Sequence, residues 1–385
     1  MTTGKSGSTR LDSWKEIALY LRRGLRTAQR WEREAGLPVR RVAGERGAVY
    51  AFAAEIDAWW QRRTVDASKR TPLSSVDVPH VPARALDGRV ATRVQPFLPQ
   101  DLRVDPDSAP GHAALGIYFF TLTAMGLLPP SDGLAAARGA ALRALHLDPS
   151  SAEAHAVTAL IAGLHDHRWD EADDRFSRAL AGQVVPATVR FHHAAWFLSP
   201  LQRHEEAIAQ VRAALTHEPL YLLGRVQIGT ELCSLGRAED GREELEQTLR
   251  IDPDFGPALG HLGRELVLCE RVAEAAALAT RTHARIPQHP NAVGFHAGML
   301  RRLGRHDAAA EVLETLVRDS PWSVPRARAE AQVICGDFDG ALEEVANAID
   351  QDDPGIWILF AGTAGVRLRE RPRWRELRSR LGLLI

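Results

Sequence analysis

Seven prolines stand in an almost even comb along the chain and limit what it can fold into. Pro149, Pro186, Pro219, Pro253, Pro287, Pro321 and Pro354 are separated by 37, 33, 34, 34, 34 and 33 residues. Pro149, Pro253 and Pro321 follow Leu-Asp, Ile-Asp and Asp-Ser, phrases that end apolar-periodic stretches. Proline cannot continue a helix, because it lacks the N–H and its ring meets the preceding turn. Each proline therefore marks a break between units, and about 34 residues is room for one antiparallel helix pair. A single pair cannot bury its apolar face, so several must stack into one elongated core.

The interior of each unit supports this. Before Pro253, Ile228, Gly229 and Leu232 fall on a first helix, Gly236 falls in a turn, and Gly241 and Leu245 fall on a second helix. Leu262, Gly263, Leu266 and Ala275 repeat the pattern, as do Leu300, Gly304, Ala309 and Leu313. Ala207, Val211 and Ala214 precede Pro219, and Gly336, Ala341 and Ala348 recur one residue out of step. The first unit is longer, its extra residues falling in Leu127-Leu128-Pro129-Pro130-Ser131-Asp132-Gly133. In period, turn glycine and small-residue placement the stretch resembles the tetratricopeptide repeat (TPR) family. The resemblance implies a superhelical solenoid over 108–370, about seven helix pairs, with a concave groove that holds a peptide or helix of another protein. Residues 371–385 are expected to form a helix that caps the stack. Groove positions of successive units carry Trp196, Thr230, Arg264 and Arg301. The lysine and asparagine clamp of chaperone-tail binders is absent there, so the partner is not a chaperone C-terminus.

Ahead of the repeats, residues 64–107 form a connector broken by Pro72, Pro79, Pro82, Pro96, Pro99 and Pro106. Residues 10–63 read differently again. Ser13 and Glu16 make a capping box for a first helix. Trp14, Ile17, Ala18 and Leu21 share its buried face. A second helix puts Arg26, Gln29, Arg30 and Arg33 opposite Ala28, Trp31 and Ala35. A hairpin follows, from Leu37-Pro38-Val39 to Ala48–Phe52, with Arg46 near its tip and Arg41 on its first arm. Ile56 and Trp59 anchor a third helix. Trp14, Trp31, Trp59 and Tyr50 are expected in the core. The first 70 residues hold 15 Lys and Arg against 8 Asp and Glu, and the remainder 33 against 41. A basic head on an acidic body points to a polyanionic partner for the head alone.

The phrases Trp14-Lys15-Glu16-Ile17-Ala18, Arg26-Thr27-Ala28-Gln29-Arg30-Trp31-Glu32-Arg33-Glu34 and Arg46-Gly47-Ala48-Val49-Tyr50-Ala51 resemble the MerR/excisionase-type winged helix-turn-helix, in the version fused to TPR arrays. The chain departs from that pattern at Arg22, where the turn carries glycine, and at Gly24, where a serine caps the helix. The resemblance implies duplex DNA as partner, with Arg26, Thr27, Gln29, Arg30, Arg33, Arg41 and Arg46 at the contact. Arginine can bond guanine, and glutamine adenine.

The expected fold is mostly α: a small winged helix-turn-helix followed by an all-α solenoid. The expected function is a DNA-binding transcriptional regulator whose repeats bind a protein or mediate self-association, with a homodimer as one form. An interaction scaffold with a non-DNA-binding head is the alternative. A membrane-tethered regulator ranks below it, since the apolar run Ala113–Leu128 has 16 residues against the ~20 needed to span a bilayer. Cys233, Cys269 and Cys335 are sparse and odd in number, which fits a reducing, cytoplasmic setting. They are placed near first-helix ends as small apolar fillers. His165 and His167, and His192 and His193, lack further ligands at metal spacing and read as structural. Gly4-Lys5-Ser6 lacks the upstream glycine of a phosphate loop. No catalytic constellation and no cofactor site is expected.

Overall fold

The computed structural model describes residues 10–20, 32–33, 36–41, 49–53, 55–56, 59 and 107–383. They fall in two units, divided between Asp77 and Val78.

The amino-terminal unit contains strand β1 (Arg10–Leu11), helix α1 (Trp14–Tyr20), β2 (Arg40–Arg41) and β3 (Val49–Phe52). The strands form an antiparallel sheet in the order β1-β3-β2, with Leu11 opposite Ala51 and Arg40 opposite Tyr50. Ser13 Oγ accepts from Glu16 N at 3.2 Å, and Glu16 Oε2 accepts from Asp12 N at 2.8 Å, so the cap is reciprocal but shifted by one residue. Leu11, Ile17, Ala18, Leu37, Val49, Ala51, Ile56 and Trp59 make a small core, with Trp14 packed against its edge. The hairpin arm pairs through Arg40 and Arg41, not through Leu37–Val39. Tyr50 is not in the core. Alternation along β3 turns Val49 and Ala51 inward, leaving Tyr50 and Phe52 half-buried on the other face. There Arg10 lies 4.3 Å from the Tyr50 ring centre and Arg40 5.3 Å from that of Phe52. Most of the expected second helix, the hairpin tip and the connector lie outside the described residues.

The second unit is a TPR-like array of seven antiparallel helix hairpins. In chain order the first helices, here A helices, are α2 (Ala109–Ala124), α4 (Ala152–Leu164), α6 (Ala187–His193), α8 (Leu222–Ser234), α10 (Gly256–Leu268), α12 (Pro290–Arg302) and α14 (Val324–Cys335). Their B partners are α3 (Pro130–Leu147), α5 (Trp169–Leu180), α7 (His204–His217), α9 (Ala238–Ile251), α11 (Val272–Arg285), α13 (His306–Asp319) and α15 (Phe338–Ile349). The first six prolines of the comb fall between one B helix and the next A helix, and Pro354 follows the last B helix. α6 continues as a π-helical turn, Ala194–Leu198. The apolar run Ala113–Leu128 is α2 and the turn after it, with Leu115, Phe119, Leu122 and Leu128 buried. No described helix is long and apolar enough to cross a membrane.

Most hairpins turn alike. The chain leaves helix A through one left-handed residue, Gly236, Gly304 or Gly336 with φ of 80°, 73° and 81°. The following N–H reaches back five residues, as Arg237 N to Leu232 O at 2.9 Å and Arg305 N to Leu300 O at 2.9 Å. In other hairpins His167, Gln202 and Glu270 take this conformation without being glycine. The next residue starts helix B and is repeatedly arginine, paired with an acid three residues on. Arg203–Glu206, Arg237–Asp240 and Arg271–Glu274 are 2.6–2.7 Å apart. These exposed pairs add little stability, but the acids favour the helix N-terminus. Helix B then approaches helix A at its small residues: a Cβ on Gly241 would overlap Gly229 O and Cys233 Sγ.

The two helix types are buried differently. α11 buries one stripe, Ala275, Ala279 and Thr282. α10 buries residues all round, including Arg264 and Glu265. An A helix that packed only on its own hairpin and its neighbours would keep one face in solvent. Something covers that face, and it is the rest of the chain.

After α15 the chain makes a 3-10 turn (Pro354–Ile358) and two short helices, α16 (Gly362–Arg369) and α17 (Trp374–Arg380). The hairpins therefore end at Ile349, earlier than the expected 370. The last helix does not merely cap the end of the stack. Trp357, Leu359, Phe360, Leu368, Trp374, Leu377, Leu381 and Leu383 are buried in one core with residues of α2–α8. Trp169 Nε1, at the start of α5, donates to Leu381 O at 2.8 Å. The physical reason lies in composition: a terminal cap exposes one face, whereas Ile356-Trp357-Ile358-Leu359-Phe360 leaves little to expose.

Candidate interaction surface

The face lined by the A helices is where the array meets polypeptide. Side chains from α8, α10 and α14 converge on the stretch 353–363. Arg264 Nη1 donates to Ile358 O at 3.0 Å and Nη2 to Ala361 O at 2.9 Å. Glu265, one residue on, accepts from Thr363 N at 2.9 Å and from Thr363 Oγ1 at 2.6 Å. Ser234 Oγ accepts from Gly362 N at 3.0 Å. Gly362 is left-handed with φ 73°, and a Cβ there would overlap Glu265 Oε1. One arginine and one carboxylate on successive helix positions thus read two carbonyls, an N–H and a hydroxyl.

A second set of polar groups sits behind the first. Glu330 Oε2 on α14 accepts from Asn291 Nδ2 at 2.9 Å and lies 3.3 Å from Arg264 Nη1. Arg326, fully buried, pairs with Asp353 at 3.1 Å and donates to Ala124 O at 2.5 Å. Asp353 Oδ1 also accepts from Gly355 N at 2.9 Å. Burial pulls the Arg326 guanidinium down and pushes the Asp353 carboxyl up, with each charge opposing the other's shift. Trp322 Nε1 donates to Gly126 O at 3.0 Å. The end of the first A helix therefore meets the start of the seventh, and the array closes on its own C-terminal segment.

A third set holds α16. Glu231 on α8, 1% exposed, pairs with His204 at 2.5 Å and accepts from Gln227. Arg369 donates to Phe360 O at 3.1 Å. Burial lowers the Arg369 guanidinium to about 10, against the pull of Glu231. Gln202, His204, Ser234, Val366, Arg369 and Glu370 line an open cleft of about 320 Å³ beside this contact.

Of the four residues expected in the groove, only Arg264 touches a chain segment, and the segment is the protein's own. Trp196 is half-buried edge-on against Phe120, ring centres 5.7 Å apart. Thr230 is buried and donates within its helix to Gln227 O at 3.0 Å. Arg301 is half-buried near the end of α12. Sequence reasoning missed Glu231, Glu265, Asn291, Arg326 and Glu330. The signal available was the apolar run after Pro354, which needs an interior, together with charged residues on otherwise apolar A helices.

Of the residues expected to touch DNA, the described ones are Arg33 and Arg41. Both are exposed, and Arg41 pairs with Glu32 at 2.9 Å. Arg26, Thr27, Gln29, Arg30 and Arg46 lie outside the described residues.

The histidines expected to be structural lie in turns and aromatic packing. His192 is edge-on to Phe120, and His193 stacks on Phe197 with ring centres 5.4 Å apart. Burial lowers each imidazole to about 4. Among the described residues no group of three or more His, Cys, Asp and Glu is placed to hold a metal ion. Cys233 is buried as expected of a small filler, and burial raises its thiol. Cys269 and Cys335, also at A-helix ends, are exposed instead, because those ends reach solvent.

No protein-family model and no curated protein sequence matches the chain. Among solved structures it is similar to Pseudomonas aeruginosa PilF, at 20% identity and a TM-score of 0.41 over 58% of this chain and 97% of that one. It is similar also to PilW, described as a widely conserved type IV pilus biogenesis factor, at 20% identity and a TM-score of 0.42 over 55% and 94%. A tetratricopeptide repeat protein from Parabacteroides merdae matches at 13% identity and a TM-score of 0.40 over 62% and 93%.

Proposed function

We propose that the chain is a protein-interaction scaffold whose helical array holds polypeptide on its A-helix face. One observation carries this reading: Arg264, Glu265 and Ser234 bind main-chain groups of residues 358–363. Side chains aimed at backbone groups recognise a chain largely irrespective of its sequence, as peptide grooves do. The test is reconstitution. Proteins recovered with the full chain are purified and titrated against it by calorimetry, and then against Arg264→Ala and Glu265→Gln variants. Saturable 1:1 binding that changes with these substitutions supports the reading. A set of recovered proteins none of which binds when purified overturns it.

A second reading, duplex DNA as partner of the amino-terminal unit, is favoured by the exposed Arg33 and Arg41 and by the basic excess of the first 70 residues. The test is full-chain binding to labelled duplex across a salt series. Groove binding predicts log affinity falling with log salt, by about 0.9 per phosphate neutralised. Arg30→Ala and Arg33→Ala should each flatten that slope if they touch phosphate. Absence of binding at low salt leaves the scaffold reading alone.

A further inference from the structure

The C-terminal stretch differs from the hairpins in how it is held. The second helices α9, α11 and α13 are seated by alanine, glycine, leucine and threonine alone. The stretch 354–383 is held by apolar anchors, Trp357 and Phe360 chief among them, and by charged side chains reading its backbone. Its two helices have eight and seven residues. Helices so short do not persist in water alone, so the stretch is ordered by the surface it sits on. It joins the array through residues 350–353, where Asp352 is left-handed at φ 55°. Its polar partners are both distant in sequence, Trp169, Ser234, Arg264 and Glu265, and near, Asp339, Glu343 and Asp350. Its interface also contains Trp357 Nε1 and Arg264 Nε, buried atoms without a protein hydrogen-bond partner. Each weakens the seating relative to a fully matched interface.

We propose that residues 354–383 are a releasable ligand of the array's own inner face, a latch that occupies the surface a partner polypeptide must use. This rests on the reading of the array as a protein-binding scaffold and names how that face is regulated. The resident segment also defines what can replace it. A competing segment has to supply an aromatic anchor for the site of Trp357 and Phe360, two carbonyls within reach of Arg264, and an N–H and hydroxyl for Glu265. A glycine before the hydroxyl residue meets the close approach seen at Gly362. Tethering makes the closed form dominant, since a linked segment competes at high effective concentration.

The experiment uses the full chain and two variants that loosen the latch by different routes. Thr363→Val removes the hydroxyl from Glu265 at nearly equal volume, and Gly362→Ala puts a methyl against that carboxylate in a strained backbone. Hydrogen exchange is followed by mass spectrometry. A hydrogen bond to a charged partner changes an equilibrium roughly tenfold or more. Exchange over 354–383 and over the A-helix stretches 222–234 and 256–268 should rise by about that factor. Exchange in α9, α11 and α13 should remain as in the parent. A labelled synthetic peptide of residues 354–383 should then bind the variants in trans and the parent at least tenfold more weakly, on the same argument. The proposal is overturned if exchange rises equally in every hairpin, which makes the segment inseparable from the fold. It is overturned equally if neither variant changes exchange over 354–383, or if the peptide does not discriminate. No partner protein enters the measurement, so failure of the latch is distinguishable from failure of the scaffold reading.

Discussion

Arg326 shows how much of this interior depends on single charges. Its guanidinium is fully buried between Asp353 and Ala124 O. Two ions in such a place attract strongly, but both have lost their water, so the pair itself adds little net stability. Removing one partner is another matter, because the other charge is left buried alone. Arg326→Met should destabilise the array by about 3–5 kcal/mol in urea unfolding. Adding Asp353→Leu should recover a large part of that loss, and a double-mutant cycle measures the coupling. Strictly additive losses would mean that the two side chains do not act as a pair. The residue scale is also where sequence reading stopped short. Arg264 was legible as a residue of a first helix, because its place in the repeat fixes the helix it belongs to. What it binds was not legible, because the repeat pattern says nothing about a segment 94–97 residues further on.

At the scale of elements the sequence was far more informative. The prolines, the turn glycines and the alanine positions reflect local rules: Gly236, Gly304 and Gly336 turn their hairpins, and Ala275, Ala309 and Ala341 are buried on second helices. Two kinds of glycine can be told apart by substitution. Gly304 is left-handed at φ 73° with open space around its missing Cβ. Gly304→Ala should therefore cost only backbone strain, about 1 kcal/mol net of the entropy it removes from the unfolded chain. Gly304→Asn should restore part of that, since asparagine tolerates the conformation. Gly241 is helical, and its substitution meets Gly229 O and Cys233 Sγ across the hairpin. Gly241→Ala should thus cost about 1–3 kcal/mol through overpacking, despite alanine's better helix propensity. Thermal unfolding of the three variants separates the cases, and a rise in Tm for Gly241→Ala would contradict the packing seen here. Of the final helices, α17 falls inside the stretch 371–385 expected to be helical, whereas α16 and the packing of both were not foreseen. Their apolar residues called for an interior, but only the superhelical closure, which brings Gly126 to Trp322, supplies it.

The array as a whole joins its first hairpins and its C-terminal segment in one core, and that core contains histidines. His192 and His193 are buried by 94% and 92% among Phe120, Phe176 and Phe197, with no acid bonded to either ring. Burial lowers both to about 4, against about 6.5 in an unfolded chain. Below pH 6.5 the unfolded chain therefore binds protons that the folded array does not. The stability linked to these groups is complete above that pH and declines as pH falls toward 4. Each should forfeit on the order of 2 kcal/mol by pH 5, at about 1.4 kcal/mol per unit. Because α6 carries both and packs on α2, α5 and the π-helical turn, their protonation should loosen the shared core rather than one hairpin. The expected result is a Tm that holds from pH 8 to 7 and then drops steeply, with these two rings taking up about two of the protons bound on unfolding near pH 5, beside those of His261 and His289, which burial also lowers. His192→Phe places a ring of similar size in the same aromatic setting. It should leave stability at pH 8 nearly unchanged and reduce proton uptake by one. An unaltered pH slope in that variant would show that His192 does not titrate with unfolding, and that the acid response arises elsewhere in the chain.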